Sequence, residues 1–225
     1  MTALSPHLLD RIHCGNCIDV LAGFPRHSVD LVITDPPYLA NYRDRSGRTV
    51  ANDNDAGDWL TPAFAEIHRV LKRDALCVSF YGWHRIDVFM AAWRRAGFRP
   101  VGHIVWTKGY SSNRRFLAYR HEQAYLLAKG DPALPARPVP DVLPWTYSGN
   151  RSHPTEKAPE IFLPLIESLT KPGDVILDPF AGSGSTLVAA LQLGRRAIGV
   201  ELDADHAARA NARLRAVTST RMQAA

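Results

Sequence analysis

The run Val29-Asp30-Leu31-Val32-Ile33 leads into Thr34-Asp35-Pro36-Pro37-Tyr38, and the two prolines there constrain the fold more than any other feature. Neither proline has a backbone donor and both fix φ, so a strand through Ile33 cannot continue its ladder. The mostly apolar run suits a parallel strand buried on both faces. Its last residues are then held rigidly at the carboxyl edge of a sheet, where open α/β folds bind ligands. The Asp35 carboxylate, the Pro36 carbonyl and the Tyr38 ring, held together by Pro37, suit a planar base with an exocyclic amine. Taken alone, the stretch is equally a tight turn with an Asp cap and a core tyrosine.

The rest of the chain alternates strands and helices around this one. Strands are predicted over 11–13, 75–81, 98–106, 119–128, 175–178 and 197–201, and helices over 20–24, 59–71, 84–96 and 158–169. A further helix ends at Leu193, and a last one ends near Ala216 with a frayed tail beyond it. This pattern gives an α/β, Rossmann-like fold with a mainly parallel sheet flanked by helices. With 225 residues and no internal repeat, the chain reads as one domain, 1–225. Two stretches resist regular structure. Residues 39–58 are polar and read as a mobile loop, a lid or a DNA-contacting segment. Residues 131–148 carry five prolines and read as an irregular excursion over the surface.

A formal charge of +5 points weakly to an anionic partner. Where the charge lies says more. Arg43, Arg45 and Arg48 share one loop, and Lys108, Arg114, Arg115 and Arg120 form a second group, each interleaved with aromatics. Two such loops favour nucleic acid over a plain solvated basic surface. Trp83, Trp93 and Trp106 read as core. Three cysteines make no disulfide framework, and Cys14 with Cys17 is too sparse a set for zinc, so no metal is expected. No apolar run approaches the ~20 residues of a membrane span and no secretory signal is visible at the N-terminus, so a cytoplasmic location is expected.

A second site follows the strand at 175–178. Asp178 leads into Phe180-Ala181-Gly182-Ser183-Gly184-Ser185-Thr186, a glycine-rich turn opening a helix, where backbone amides can approach a ligand. Glu201 ends the next strand, nineteen positions past Gly182, where a nucleotide-binding fold places an acid for ribose hydroxyls. Leu187 replaces the third small residue of a dinucleotide fingerprint, and no P-loop lysine is present. A cofactor with a ribose and an amino-acid moiety but no phosphate fits best.

Together these motifs resemble the amino-group DNA methyltransferases that use S-adenosylmethionine. Asp35-Pro36-Pro37-Tyr38 matches that family's DPPY motif, and Phe180 to Thr186 matches its FxGxGxT motif. His153-Pro154-Thr155-Glu156-Lys157 matches the segment before the latter, and Asp19 sits where the family places an acid near the cofactor adenine. With the catalytic motif first and the cofactor motif last, the order is that of the β-class. The match runs from about residue 12 to 216.

The resemblance implies that Asp35 and Pro36 accept hydrogen bonds from the target amine, that Tyr38 stacks on a flipped base, and that no covalent intermediate forms. It implies that Asp178, Phe180, Gly182, Ser183 and Gly184 cradle the cofactor's methionine and ribose. Thr186 and Lys157 hold the methionine carboxylate, Glu201 the ribose hydroxyls, and Asp19 the adenine amine. The substrate implied is double-stranded DNA, contacted by Arg43, Arg45, Arg48, Arg114 and Arg115. Only about residues 108–150 are available as a target-recognition insertion, and a reader this small suits a homodimer on a palindrome. Asp before the two prolines favours N6-adenine as the target. N4-cytosine methylation, action on RNA or a protein amide, and a non-catalytic DNA-binding module are the alternatives.

Overall fold

The structure, a computed structural model, describes residues 4–40, 53, 56–114, 116–147 and 157–224, the side chains of 113, 114 and 220–224 excepted. In chain order the strands are β1 (Arg11–Cys14), β2 (Val29–Thr34), β3 (Leu71–Phe80), β4 (Arg99–Thr107), β5 (Asn113–Arg114), β6 (Ala118–Tyr119), β7 (His121–Lys129), β8 (Val142–Pro144), β9 (Val175–Asp178) and β10 (Arg196–Glu201). The helices are α1 (Cys17–Ala22), α2 (Leu60–Val70), α3 (Ile86–Ala96), α4 (Leu163–Leu169), α5 (Ser185–Gln192) and α6 (Ala204–Ala224).

Eight strands form one sheet in the order β1-β10-β9-β2-β3-β7-β4-β8, and β5 and β6 form a separate small hairpin. From β1 to β3 every pair is parallel; β7 is antiparallel to both its neighbours. The chain leaves β2 towards β3 but leaves β9 towards β10, so the direction of winding reverses between β2 and β9. Ligands bind at such a reversal in doubly wound sheets.

Both faces of the sheet are covered. Leu31, Ile33 and Val78 pack with Ile161, Leu165, Leu187 and Leu191 on one side. Val32, Cys77 and Leu177 pack with Leu21, Phe64, Ile67 and Trp93 on the other. This explains why β2 reads as nearly all apolar. Its exception, Asp30, accepts from the Lys72 ammonium at 2.6 Å and from the Val175 amide at 3.0 Å, which ties β9 to β2 at their amino ends.

Several boundaries differ from the sequence expectation, each for a local reason. The predicted helix over 158–169 is a 3-10 turn, Pro159–Ile161, followed by α4, because Pro164 lacks a donor and sits at a helix start. The last helix does not fray near Ala216 but continues to Ala224, past the weak helix formers Val217 to Thr220 and into Arg221, Met222 and Gln223, which favour helix. The proline-rich excursion is not wholly irregular: β8 adds to the sheet edge, pairing Val105 with Val142, and an edge tolerates Pro144. Trp93 and Trp106 are core, but Trp83 is not. It is 57% exposed and stacks on Tyr119 with ring centroids 6.0 Å apart. Among the described residues no helix is long and apolar enough to cross a membrane.

Candidate active site

Two corners meet at the reversal of the sheet. Leu31 and Val32 of β2 pair with Ile176 and Leu177 of β9, so Asp35 and Asp178 leave adjacent strands at the same carboxyl edge.

At the β2 corner the prolines end the strand and Tyr38 turns back against the end of β3. Gly82 makes room for that approach: a Cβ there would lie 2.7 Å from the Tyr38 carbonyl oxygen and 3.0 Å from its Cβ. The Tyr38 hydroxyl donates to Asp35 Oδ1 at 2.7 Å, and the Lys157 ammonium pairs with Asp35 Oδ2. Burial raises the Tyr38 phenol well above its usual range, so it remains a neutral donor. Lys157 Nζ lies 4.6 Å from the centroid of Phe80, whose ring stacks on Trp106 at 4.8 Å. Burial pulls Lys157 down to about 7, and the Asp178 carboxylate opposes that fall.

At the β9 corner the chain folds onto its own backbone. Asp178 Oδ1 accepts from the Phe180 amide at 3.1 Å, and Ala181 donates to the Val200 carbonyl at 2.9 Å. Gly182 and Gly184 have φ of +50° and +77°, a region in which side chains with a Cβ are strained. Glu201 reaches across from β10: Oε2 accepts from Gly182 N at 2.8 Å and Oε1 from Asp203 N at 2.9 Å. Thr186 is buried in the first turn of α5 and supports the Asp178 carboxylate, while Ser183 Oγ lies 3.1 Å from Ser185 Oγ. Asp178 is 3% exposed, and burial pushes its carboxyl up to about 7 against the hydrogen bonds and Lys157. Phe180 packs against Trp59 at 5.5 Å. Asp19 is exposed in the first turn of α1, which follows β1, and β1 pairs with β10 through Cys14 and Glu201. All these residues share one edge.

A family model described as DNA methylase matches residues 29–148 and 138–212. The chain belongs to the N6/N4 DNA methylase family. YubD of Escherichia coli (strain K12), which is named for a methylase, is 57% identical over 217 residues, 96% of this chain and 95% of YubD. The type II methyltransferase M.BglII of Bacillus subtilis is 29% identical over 88% of this chain and 67% of its own length. Among solved structures, M1.HpyAVI in complex with SAM aligns with a TM-score of 0.73 over 91% of this chain and 98% of that one, at 23% identity, a likeness of fold. TTHA0409 of Thermus thermophilus, named for a DNA modification methylase and also complexed with S-adenosylmethionine, aligns at 0.68 over 92% and 95%, with 25% identity.

For this DNA methylase the structure brings Asp35 to Tyr38, Lys157, Asp178 to Thr186 and Glu201 into one neighbourhood. The arginines expected to contact DNA are a different matter. Arg43, Arg45, Arg48 and Arg115 lie outside the described residues, as do 153–156, and Arg114 is described only through its backbone in β5. Most of the predicted 39–58 loop also lies outside them. Lys108 does not join a solvated basic group. Its side chain is 4% exposed, paired with Glu122 and set 5.0 Å from the Trp145 ring. Lys108 lies one residue past β4 and two beyond Trp106, whose register partner on β7 is Glu122. The contact between Lys157 and Asp35 is likewise absent from the sequence reading, and no local signal marks it.

Proposed function

We propose that this protein transfers a methyl group from S-adenosylmethionine to the N6 amine of adenine in a defined double-stranded DNA sequence. The supporting observation is the pairing of β2 with β9, which sets Asp35 and the glycine loop side by side at one sheet edge. The donor set suits such a cofactor. A buried ammonium, Lys157, and a buried carboxyl, Asp178, match the two charges of an amino acid. Glu201 suits a ribose diol, since a carboxylate that already accepts from two amides has further lone pairs for hydroxyls. Gly182, Ser183, Gly184 and Phe180 line the approach, Thr186 supports Asp178, and Asp19, exposed in the first turn of the helix after β1, is the acid for the adenine amine. When bound, S-adenosylmethionine supplies an electrophilic methyl on its sulfonium sulfur.

An adenine amine is a poor nucleophile because its lone pair is delocalised into the ring. Asp35 and the Pro36 carbonyl accept hydrogen bonds from its two N–H groups, drawing the nitrogen towards sp³ and localising the pair. Pro36 and Pro37 fix those acceptors in place, so positioning carries most of the catalysis. Tyr38 stacks on the base, which leaves the duplex at a cost of a few kcal/mol. Asp ahead of the two prolines supports adenine over cytosine. Arg43, Arg45, Arg48, Arg114 and Arg115 contact phosphates, residues 108–150 read the sequence, and two copies cover a palindrome.

The test is transfer of labelled methyl to duplex DNA followed by nucleoside analysis. Label in N6-methyladenine is expected. Label in N4-methylcytosine, or in no nucleoside, overturns the assignment.

A further inference from the structure

Both oxygens of Asp35 are engaged from within the chain, one by the Tyr38 hydroxyl and one by the Lys157 ammonium. The pair is sheltered, with the Lys157 side chain 9% and the Asp35 side chain 23% exposed. A sheltered ammonium needs an anionic partner to keep its charge. Lys157 has two acids nearby: Asp35 in direct contact, and Asp178 close enough to favour its charged form. The rings of Phe80 and Tyr38 flank the ammonium, with centroids 4.6 Å and 5.9 Å from Nζ, and add cation–π attraction there. Lys157 therefore stands at the seam between the two corners.

That position has a consequence for Asp35. A carboxylate neutralised by an ammonium is a weak acceptor for a neutral amine, because the positive charge has already drawn down its electron density. An amine can be gripped well only after Lys157 has another anion to hold. We propose that Lys157 is a positioning residue that couples the corners: it neutralises Asp35 until it exchanges that partner for the carboxylate of the methyl donor, and Asp35 then accepts the target amine. The inference rests on the function proposed above. It makes donor and target bind cooperatively, and by linkage each raises the other's affinity by the same factor.

The measurement is the affinity advantage of a duplex carrying the target over one whose target base lacks the exocyclic amine. The target is first located by sequencing modified DNA from cells that express the protein. The advantage is measured with no ligand, with S-adenosylhomocysteine, and with 5′-methylthioadenosine, which keeps the nucleoside but lacks the amino-acid carboxylate. In the wild-type protein S-adenosylhomocysteine raises the advantage roughly tenfold, within the usual range of coupling between sites. Methylthioadenosine leaves it unchanged. In Lys157→Met the advantage stands at the raised level without ligand, and S-adenosylhomocysteine adds nothing. Equal rises with both ligands, or a ligand-dependent rise that survives in Lys157→Met, overturn the coupling. The two-ligand comparison needs no variant, so it stands even if Lys157→Met does not fold. Wild-type protein that methylates DNA but shows no ligand-dependent advantage refutes the coupling alone; wild-type protein that transfers no methyl refutes the function as well.

Discussion

The two corners of the sheet edge are built by different means. At the β9 corner one contiguous segment, Asp178 to Thr186, closes on its own amides and on Glu201 of the neighbouring strand. At the β2 corner the backbone is fixed by two prolines and by the room Gly82 leaves, but the carboxylate is met by a lysine 122 positions away. The first corner is a preformed turn held by its own backbone donors. The second is a charge assembly whose key contact can be exchanged. Changes at the β9 corner should therefore act on donor affinity and stability together, whereas loss of the Asp35 carboxylate at the β2 corner should act mainly on chemistry.

The sharpest way to break this contrast is Glu201→Ala. It removes the acceptor proposed for two ribose hydroxyls and the anchor of the Gly182 amide, so donor affinity measured by calorimetry should fall roughly a hundredfold. A fall of less than about threefold would mean that Glu201 only anchors the loop. Next is Gly199→Ala. A Cβ there would lie 2.5 Å from Leu187 Cδ1, 2.8 Å from Ile12 Cγ1 and 2.9 Å from Ala181 Cβ, three packed neighbours under the glycine loop. Overpacking of this kind should cost about 1–3 kcal/mol in denaturant unfolding. Gly109→Ala, where an added Cβ meets nothing within 4 Å, should cost little by comparison.

Asp178→Asn sharpens the comparison through pH. Burial raises the Asp178 carboxyl from 3.8 to about 7, so the folded chain holds a proton that the unfolded chain releases between those values. Ionisation then lowers stability as pH rises through that window. The variant escapes this cost and should be more stable than wild type by about 1–3 kcal/mol at pH 8, with the gain vanishing near pH 4. Its donor affinity should nonetheless drop. A destabilised variant at pH 8 would contradict the assignment of a strained buried acid. The smallest effect is expected from Trp83→Ala, on the exposed rim beyond the β2 corner. Loss of a stacking surface should weaken duplex binding about fivefold and leave the melting temperature unchanged. A lowered melting temperature would make Trp83 a packing residue after all.

The same contrast explains how much of the molecule is legible in its sequence. The β9 corner is legible because its instructions are local: glycines at a fixed spacing after an apolar strand, and an acid at the end of the next one. The fold is legible for a similar reason, since β2, β9 and β10 are short apolar runs bounded by turn residues. The Lys157 contact is not, because a lysine 122 residues from its partner carries no periodic or spacing signal. Lys108 reads wrongly as a surface charge because composition does not reveal the Glu122 partner. Trp83 reads wrongly as core because aromatic residues usually are, and its neighbour Tyr119 comes from a distant hairpin.

The most direct test of the paired-corner account is to measure S-adenosylmethionine affinity and methyl transfer to duplex DNA side by side in Asp35→Ala. Transfer should fall by roughly three orders of magnitude, the scale of losing a preorganised polar contact at a reacting atom, while donor affinity stays within about threefold of wild type. Parallel loss of both, or transfer that survives without the carboxylate, would contradict it.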